Sequence, residues 1–249
     1  RSCSAFFGQC GRMPAFRRHV SVLSCDIVNS TGLAISLDPE DLQILLATFL
    51  DTCKQTVEEH RGEFAHHTGD GFVAYFGSKK TQGRNAQEAI SCGLSIVKAL
   101  TEVSTAGGQA VEVRVGIATG LVVLSAVSEL DQSSANLAIG PPVHLASRIQ
   151  TAAKPGSVYV DATTHELAKT NFTFDDGGTH QFKGFTEPIQ TWEVVAELPI
   201  SLRFEERRER LLPYVGRSRE RKILSESLEL AKSGTGLTVL ISGEAGIGK

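Results

Sequence analysis

The chain has no CxxC pair, no long apolar run and no excess of charge of either sign. Each absence removes a class of protein. Its five cysteines are odd in number and lack CxxC spacing. Cys25, Cys53 and Cys92 lie in apolar segments and read as small buried hydrophobes, which favours a reducing, cytoplasmic setting. A formal net charge of −3 argues against a nucleic-acid partner. No apolar stretch approaches the roughly 18 residues that span a bilayer, so no membrane segment is expected. Arg1 to Arg18 lacks the continuous apolar core of a secretory signal. At 249 residues and 41% apolar content, the chain can bury one large core or two small ones.

Hydrophobic spacing gives a mixed α+β order. Residues 20–27 read as a buried strand that ends at Asp26. Asp38-Pro39-Glu40-Asp41 is a helix start, with a capping Asp, Pro at the first position and acids in the first turn. Leu42, Leu45, Leu46, Phe49, Leu50, Cys53 and Val57 follow at helical spacing to about His60, where Arg61-Gly62 ends the helix. Strands are expected at 63–67 and 71–76, a helix over 84–103, a strand over 111–118 and a surface loop over 125–137. A helix over 141–153, a strand at 158–160 and a short helix at 162–169 come next, followed by strands near 172–175, 180–182 and 190–195. Hairpins and crossovers together predict a mixed sheet with helices packed on it, and strand–helix–hairpin–helix–strand is compatible with a ferredoxin-like core.

Two aspartates stand out. Asp26 ends an apolar strand and precedes Asn29-Ser30-Thr31-Gly32, a turn rich in free backbone N–H groups. Asp70 sits in Gly69-Asp70-Gly71, between apolar runs, and reads as a hairpin tip. A Gly-Asp-Gly turn alone is ordinary turn chemistry. Two carboxylates beside unpaired N–H groups can together hold a hydrated divalent cation and a polyphosphate.

The character changes after Glu197. Residues 198–213 read as a charged linker, and 214–249 as the start of a second domain. There Leu237-Thr238-Val239-Leu240-Ile241-Ser242 reads as a buried strand running into Gly243-Glu244-Ala245-Gly246-Ile247-Gly248-Lys249. This is GxxxxGK in the strand context of a Walker A loop, in which the Gly243 to Gly248 backbone would cradle phosphates and Lys249 would reach the outer ones. The sequence stops before the Ser/Thr that should hold Mg²⁺, and it begins without Met, so it reads as a piece of a longer protein. The segment resembles the beginning of a signal-transduction ATPase of the AAA/STAND kind. Residues 1–17 read as a lead-in without periodicity.

Residues 18–197 resemble the class III nucleotidyl cyclase domain. Four blocks carry the likeness in matching order and spacing: Cys25-Asp26-Ile27-Val28-Asn29-Ser30-Thr31-Gly32; Thr68-Gly69-Asp70-Gly71-Phe72-Val73-Ala74-Tyr75-Phe76; Arg114-Val115-Gly116-Ile117-Ala118-Thr119-Gly120; and Gly140-Pro141-Pro142-Val143-His144-Leu145-Ala146-Ser147-Arg148-Ile149. Phe182-Lys183-Gly184-Phe185 is a fifth. With the P-loop attached, the chain resembles bacterial cyclase–ATPase fusions. The resemblance implies attack of a ribose 3′-oxygen on the α-phosphate of a nucleoside triphosphate. The products are a 3′,5′-cyclic nucleotide and pyrophosphate. Asp26 and Asp70, with the Ile27 carbonyl, would hold two Mg²⁺ or Mn²⁺ ions per site. The turn Ile27 to Gly32, with Val28 and Asn29 inside it, would donate N–H bonds to the β- and γ-phosphates. Arg148 would stabilise charge at the α-phosphate, and Lys183 would pair with the terminal phosphate. The family draws the metal aspartates and this Arg from opposite subunits, so a homodimer is implied, with the ATPase domain as a partner in cis.

Three positions depart from the pattern. The family's purine-reading Lys is His66 here, its partner carboxylate is Leu137, and the Asn that orients the ribose is His144. Leu137 cannot accept a hydrogen bond from a base, whereas His66 and His144 can each offer an N–H. The alternative for the histidines is a plain strand residue at His66 and a helix-packing residue at His144. Metal and phosphate handling thus look intact and base reading looks altered. ATP is the expected substrate because related fusions are adenylate cyclases. A guanylate cyclase, and a non-catalytic nucleotide-binding dimer that regulates the ATPase, are the alternatives.

Overall fold

In the computed structural model, the described residues are 15–67, 69–78, 83–101, 111–125, 137–199, 216–234 and 236–242; at 15, 16, 125 and 137 the backbone alone is described. The chain divides into two units, the first ending at Phe204 and the second beginning at Glu205.

The first unit is one mixed sheet in the order β2-β3-β1-β4-β6-β8-β7, with β5 paired to β4. Its strands are β1 (Ala15–Ile27), β2 (Glu63–His67), β3 (Gly71–Phe76), β4 (Val113–Ser125), β5 (Leu137–Ile139), β6 (Ser157–Asp161), β7 (Phe172–His180) and β8 (Ile189–Glu197). Helices α1 (Ser30–Ser36), α2 (Pro39–Glu59), α3 (Asn85–Thr101), α4 (Pro141–Ala152) and α5 (Ala162–Ala168) connect them. β1 is antiparallel to β3 and β4, and β4 is parallel to β6. The α+β, ferredoxin-like expectation therefore holds.

Strand alternation explains how β1 feeds two cores. Leu23, Cys25 and Ile27 enter one apolar cluster with Phe49, Cys53 and Val57 of α2 and Ile90 and Ile96 of α3. Val20 and Val22 enter the other, with Tyr75, Ala118, Phe182 and Ala146 and Ile149 of α4. Val20, Val22 and Leu23 are fully buried. Each such side chain contributes about 1.5–3 kcal/mol. A one-residue slip of β1 would exchange the two sets and turn Asp26 into the α2–α3 core, so burial fixes which face carries Asp26. Cys25, Cys53 and Cys92 are free, buried thiols, as their surroundings imply, and burial pushes the Cys25 and Cys92 thiols up. Gly116 lets α4 lie against β4: a Cβ there would stand 2.2 Å from the Gln150 nitrogen and 2.3 Å from the Ala146 oxygen.

Several expectations change. β1 begins at Ala15, inside the expected lead-in, and β4 continues to Ser125. Residues 137–139 form β5 on β4, where a loop is expected. The turn after Asp26 is tighter than expected: Asn29 alone adopts the left-handed conformation (φ 55°), and Ser30 already starts α1. The strands expected at 172–175 and 180–182 are one strand, β7, which crosses Asp176–Gly178 as an irregularity and stops at His180.

In the second unit Ser218–Lys232 form a helix, α6. Residues 237–242 are not a strand, and Leu237, Val239, Leu240 and Ile241 are exposed. An apolar strand of this kind forms only between neighbours in a sheet, and the described residues of this unit supply none. Gly243, Gly248 and Lys249 lie outside the described residues, as do residues 1–14, 126–136 and 200–213.

Candidate functional site

β1 and the β2–β3 hairpin bring the two aspartates to one end of the sheet. Asp26 pairs with Gly71 in register, and the Ile27 N–H donates to the Asp70 carbonyl at 3.0 Å. Gly69, at φ 77°, allows the tight turn that Asp70 needs. The Ser30 hydroxyl donates to the Asp70 carboxylate. Ser30 thereby joins the first residue of α1 to the hairpin tip. Ser30 and Asp70 both line a cavity of about 290 Å³, whose wall is completed by Thr31, Gly69 and the apolar side chains Ile27, Leu33, Ala34, Leu42, Leu45 and Leu46.

The structure adds Arg114, to which the sequence reading gives no role. Arg114 pairs with Asp26 across β1–β4. Its Nη2 lies 3.1 Å from Asp26 Oδ2 and its Nε 3.3 Å from Oδ1, and Nη1 donates to the Thr151 carbonyl of α4 at 3.4 Å. Both side chains keep 26% of their exposure. Burial raises the Asp26 carboxyl above the usual carboxylate range. The Arg114 hydrogen bonds and charge pull it down, Gln150 adds to the pull, and the Asp70 charge raises it. The signal for Arg114 was the alternation Val111-Glu112-Val113-Arg114-Val115, which puts one cation on a single face; only the register reveals which carboxylate it meets.

His66 reaches the same face through a bulge. The irregularity between Phe64 and His66 pairs His66 with Val73. Val73 in turn pairs with Ser24, two residues before Asp26. Partners across a ladder share a face, so exposed His66 stands one row from Asp26. His144 and Arg148 lie one helical turn apart on the exposed side of α4, opposite buried Ala146 and Ile149. Lys183 is exposed after β7, in the turn closed by the Phe185 N–H to the Phe182 carbonyl at 3.1 Å. Among the described residues none of His144, Arg148 and Lys183 pairs with Asp26 or Asp70. A single chain thus assembles Asp26, Ile27, Ser30, Asp70 and Arg114, and leaves His144, Arg148 and Lys183 facing outward. Leu137 opens β5 opposite Ser125.

Among the described residues no three or more His, Cys, Asp or Glu side chains cluster as a metal cage. Two carboxylates whose charges oppose each other, plus a backbone carbonyl, suit Mg²⁺ or Mn²⁺. Such ions use one or two carboxylates and complete their shell with water and substrate phosphate. The donor set fits.

The sheet brings two carboxylates, Asp26 and Asp70, together at one strand end. Residues 15–196 match the adenylate and guanylate cyclase catalytic domain, and the chain belongs to that family. It is 34% identical over 234 residues to the uncharacterized protein R02095 of Rhizobium meliloti, an alignment that covers 94% of the chain and 23% of that relative. The chain thus spans less than a quarter of that curated relative's length. Among solved structures, the adenylyl cyclase CyaB of P. aeruginosa has a TM-score of 0.68 at 27% identity, covering 74% of this chain and 97% of that one. The guanylyl cyclase Cya2 has a TM-score of 0.70 at 28% identity, covering 76% and 97%. No helix among the described residues is long and apolar enough to cross a membrane.

Proposed function

We propose that this domain is an adenylate cyclase that converts ATP to 3′,5′-cyclic AMP and pyrophosphate at sites shared between two copies of the chain. The observation that carries the reading is the junction of Asp26 and Asp70, held by the Ile27–Asp70 hydrogen bond and the β1–β3 register. Asp26, Asp70 and the Ile27 carbonyl would hold two Mg²⁺ or Mn²⁺ ions, which lower the pKa of the 3′-hydroxyl and neutralise the triphosphate. The 3′-oxygen forms its bond to the α-phosphorus as the bond to the β-phosphate oxygen breaks. The backbone N–H groups from Asn29 to Gly32 face the outer phosphates, because those of Ile27 and Val28 donate to the Asp70 and Glu112 carbonyls. Arg114 exchanges the Asp26 carboxylate for phosphate oxygens, which offer a guanidinium the same bidentate geometry. The partner copy supplies its outward-facing Arg148 for charge at the α-phosphate, its Lys183 for the terminal phosphate and its His144 for the ribose. His66 donates to a ring nitrogen of the base.

Similarity to an adenylyl and a guanylyl cyclase at nearly equal identity keeps GTP as the alternative substrate. A test is to incubate the purified dimer with ATP or GTP and Mn²⁺ and separate the products. Cyclic AMP is expected, cyclic GMP would move the assignment to GTP, and no product from either overturns the cyclase reading. The second reading is a nucleotide-binding dimer without turnover that regulates a following ATPase domain in the cytoplasm. His66 and His144, both exposed where the family has Lys and Asn, favour it. It predicts calorimetric nucleotide binding without product, and activity once Lys, Asp and Asn replace His66, Leu137 and His144.

A further inference from the structure

One buried donor next to the site has no role so far. Gln150, near the end of α4, is 4% exposed, and its side-chain nitrogen is buried with no hydrogen-bond partner among the described residues. A buried amide donor without a partner is destabilising, so its presence calls for a reason. Its position is rigid. The Gln150 backbone lies directly over Gly116, and Gly116 pairs with Ser24, two residues from Asp26 on the same face. The next residue, Thr151, accepts from Arg114 Nη1. Gln150 also acts on the Asp26 carboxylate as a stabilising donor without closing a hydrogen bond of normal geometry.

In the free chain both Asp26 oxygens are taken by Arg114. A carboxylate that turns to a cation must give up that bidentate pair, and it then needs a neutral donor to fix its orientation. We infer that Gln150 is the positioning residue that takes over Asp26 from Arg114: its Nε2 closes onto an Asp26 oxygen when the guanidinium leaves. A neutral amide suits this task because a second cation in that place would oppose the metal. The inference rests on the reading of Asp26 and Asp70 as the metal carboxylates.

The test uses the full chain and the manganese complex of inorganic tripolyphosphate, which carries no base and does not turn over. Calorimetry on Gln150→Met, similar in volume but without the donor, should show binding weakened about tenfold, the scale of lost outer-shell partners. The thermal midpoint should hold or rise, since an orphan donor is removed. A merely packing role would lower the midpoint and leave binding within twofold, and that result overturns the inference. Asp70→Asn separates the two claims. If the parent binds the complex, Asp70→Asn loses it and Gln150→Met keeps it, only the Gln150 role fails; if the parent does not bind it, both claims fall. Should Gln150→Met not fold, the parent still decides. Its Gln150 side-chain amide resonances, assigned by their loss in Gln150→Glu, should move downfield on addition of the magnesium complex. No movement overturns the inference.

Discussion

Two aspartates of this domain, Asp26 and Asp161, are both half-solved by burial and finished by different partners. Asp161 ends β6, caps α5 and is 5% exposed. Its Oδ1 accepts from the Thr119 N–H at 3.2 Å, the Thr164 N–H at 3.0 Å and the Thr164 hydroxyl. Thr119 Oγ1 continues the network to Thr164 Oγ1 at 2.8 Å and to Ser21 Oγ at 2.7 Å. These donors are neutral, with Thr164 buried and Thr119 half-buried, and the network ties β1, β4, β6 and α5 together. Asp26, five residues further along β1, is held by a guanidinium with solvent access, next to an amide donor that is not engaged. The first arrangement has nothing to exchange. The second can trade partners without unfolding anything.

Alanine at each position breaks this contrast most sharply. Asp26→Ala should abolish product, as should Asp70→Ala, while costing under about 1 kcal/mol in urea unfolding, because the lost ion pair is partly solvated. Asp161→Ala should cost about 2 kcal/mol by stranding buried donors, with the rate per folded chain unchanged. Arg114→Ala tests the exchange itself. It should lower kcat/KM about a hundredfold through lost phosphate pairing and leave the urea midpoint near the parent's. The smallest effect is in pH dependence. Burial raises the Asp161 carboxyl above the usual carboxylate range, so the folded chain binds that proton more tightly than the unfolded chain. The stability tied to that proton is fully present below the ordinary Asp pKa and is lost as pH rises through the raised one. Asp161→Asn keeps the Oδ1 acceptor and removes the titration. Its urea midpoint should therefore gain on the parent's between pH 4 and pH 7; a constant difference would place the shift elsewhere.

What could be read from the sequence divides along the same line. Local signals were legible: Asp38-Pro39 starting α2, the Gly69-Asp70-Gly71 tip and the apolar stripe of α3 all sit where spacing puts them. Pairings across distant strands were not. Arg114 stands 88 residues from Asp26, and no local pattern gives the β1–β4 register. The Ser21–Thr119–Thr164–Asp161 network joins four elements, and its members are ordinary strand and cap residues when taken singly. β5 was hidden because a three-residue strand carries no periodicity of its own. The run at 237–242 shows the converse: an apolar pattern written for a sheet forms no strand and stays exposed where the described unit offers no strand to pair with.

In the proposed reaction Asp26 and the outward-facing Arg148 act together from two copies of the chain. Mixing Asp26→Ala with Arg148→Ala tests this directly. Each variant alone should give no cyclic product. After subunit exchange, half the dimers carry one intact site of two, so activity should return to about a quarter of the parent's. Recovery at that level supports the shared site. Two inactive variants that stay inactive when mixed, in a preparation shown to contain mixed dimers, would contradict it.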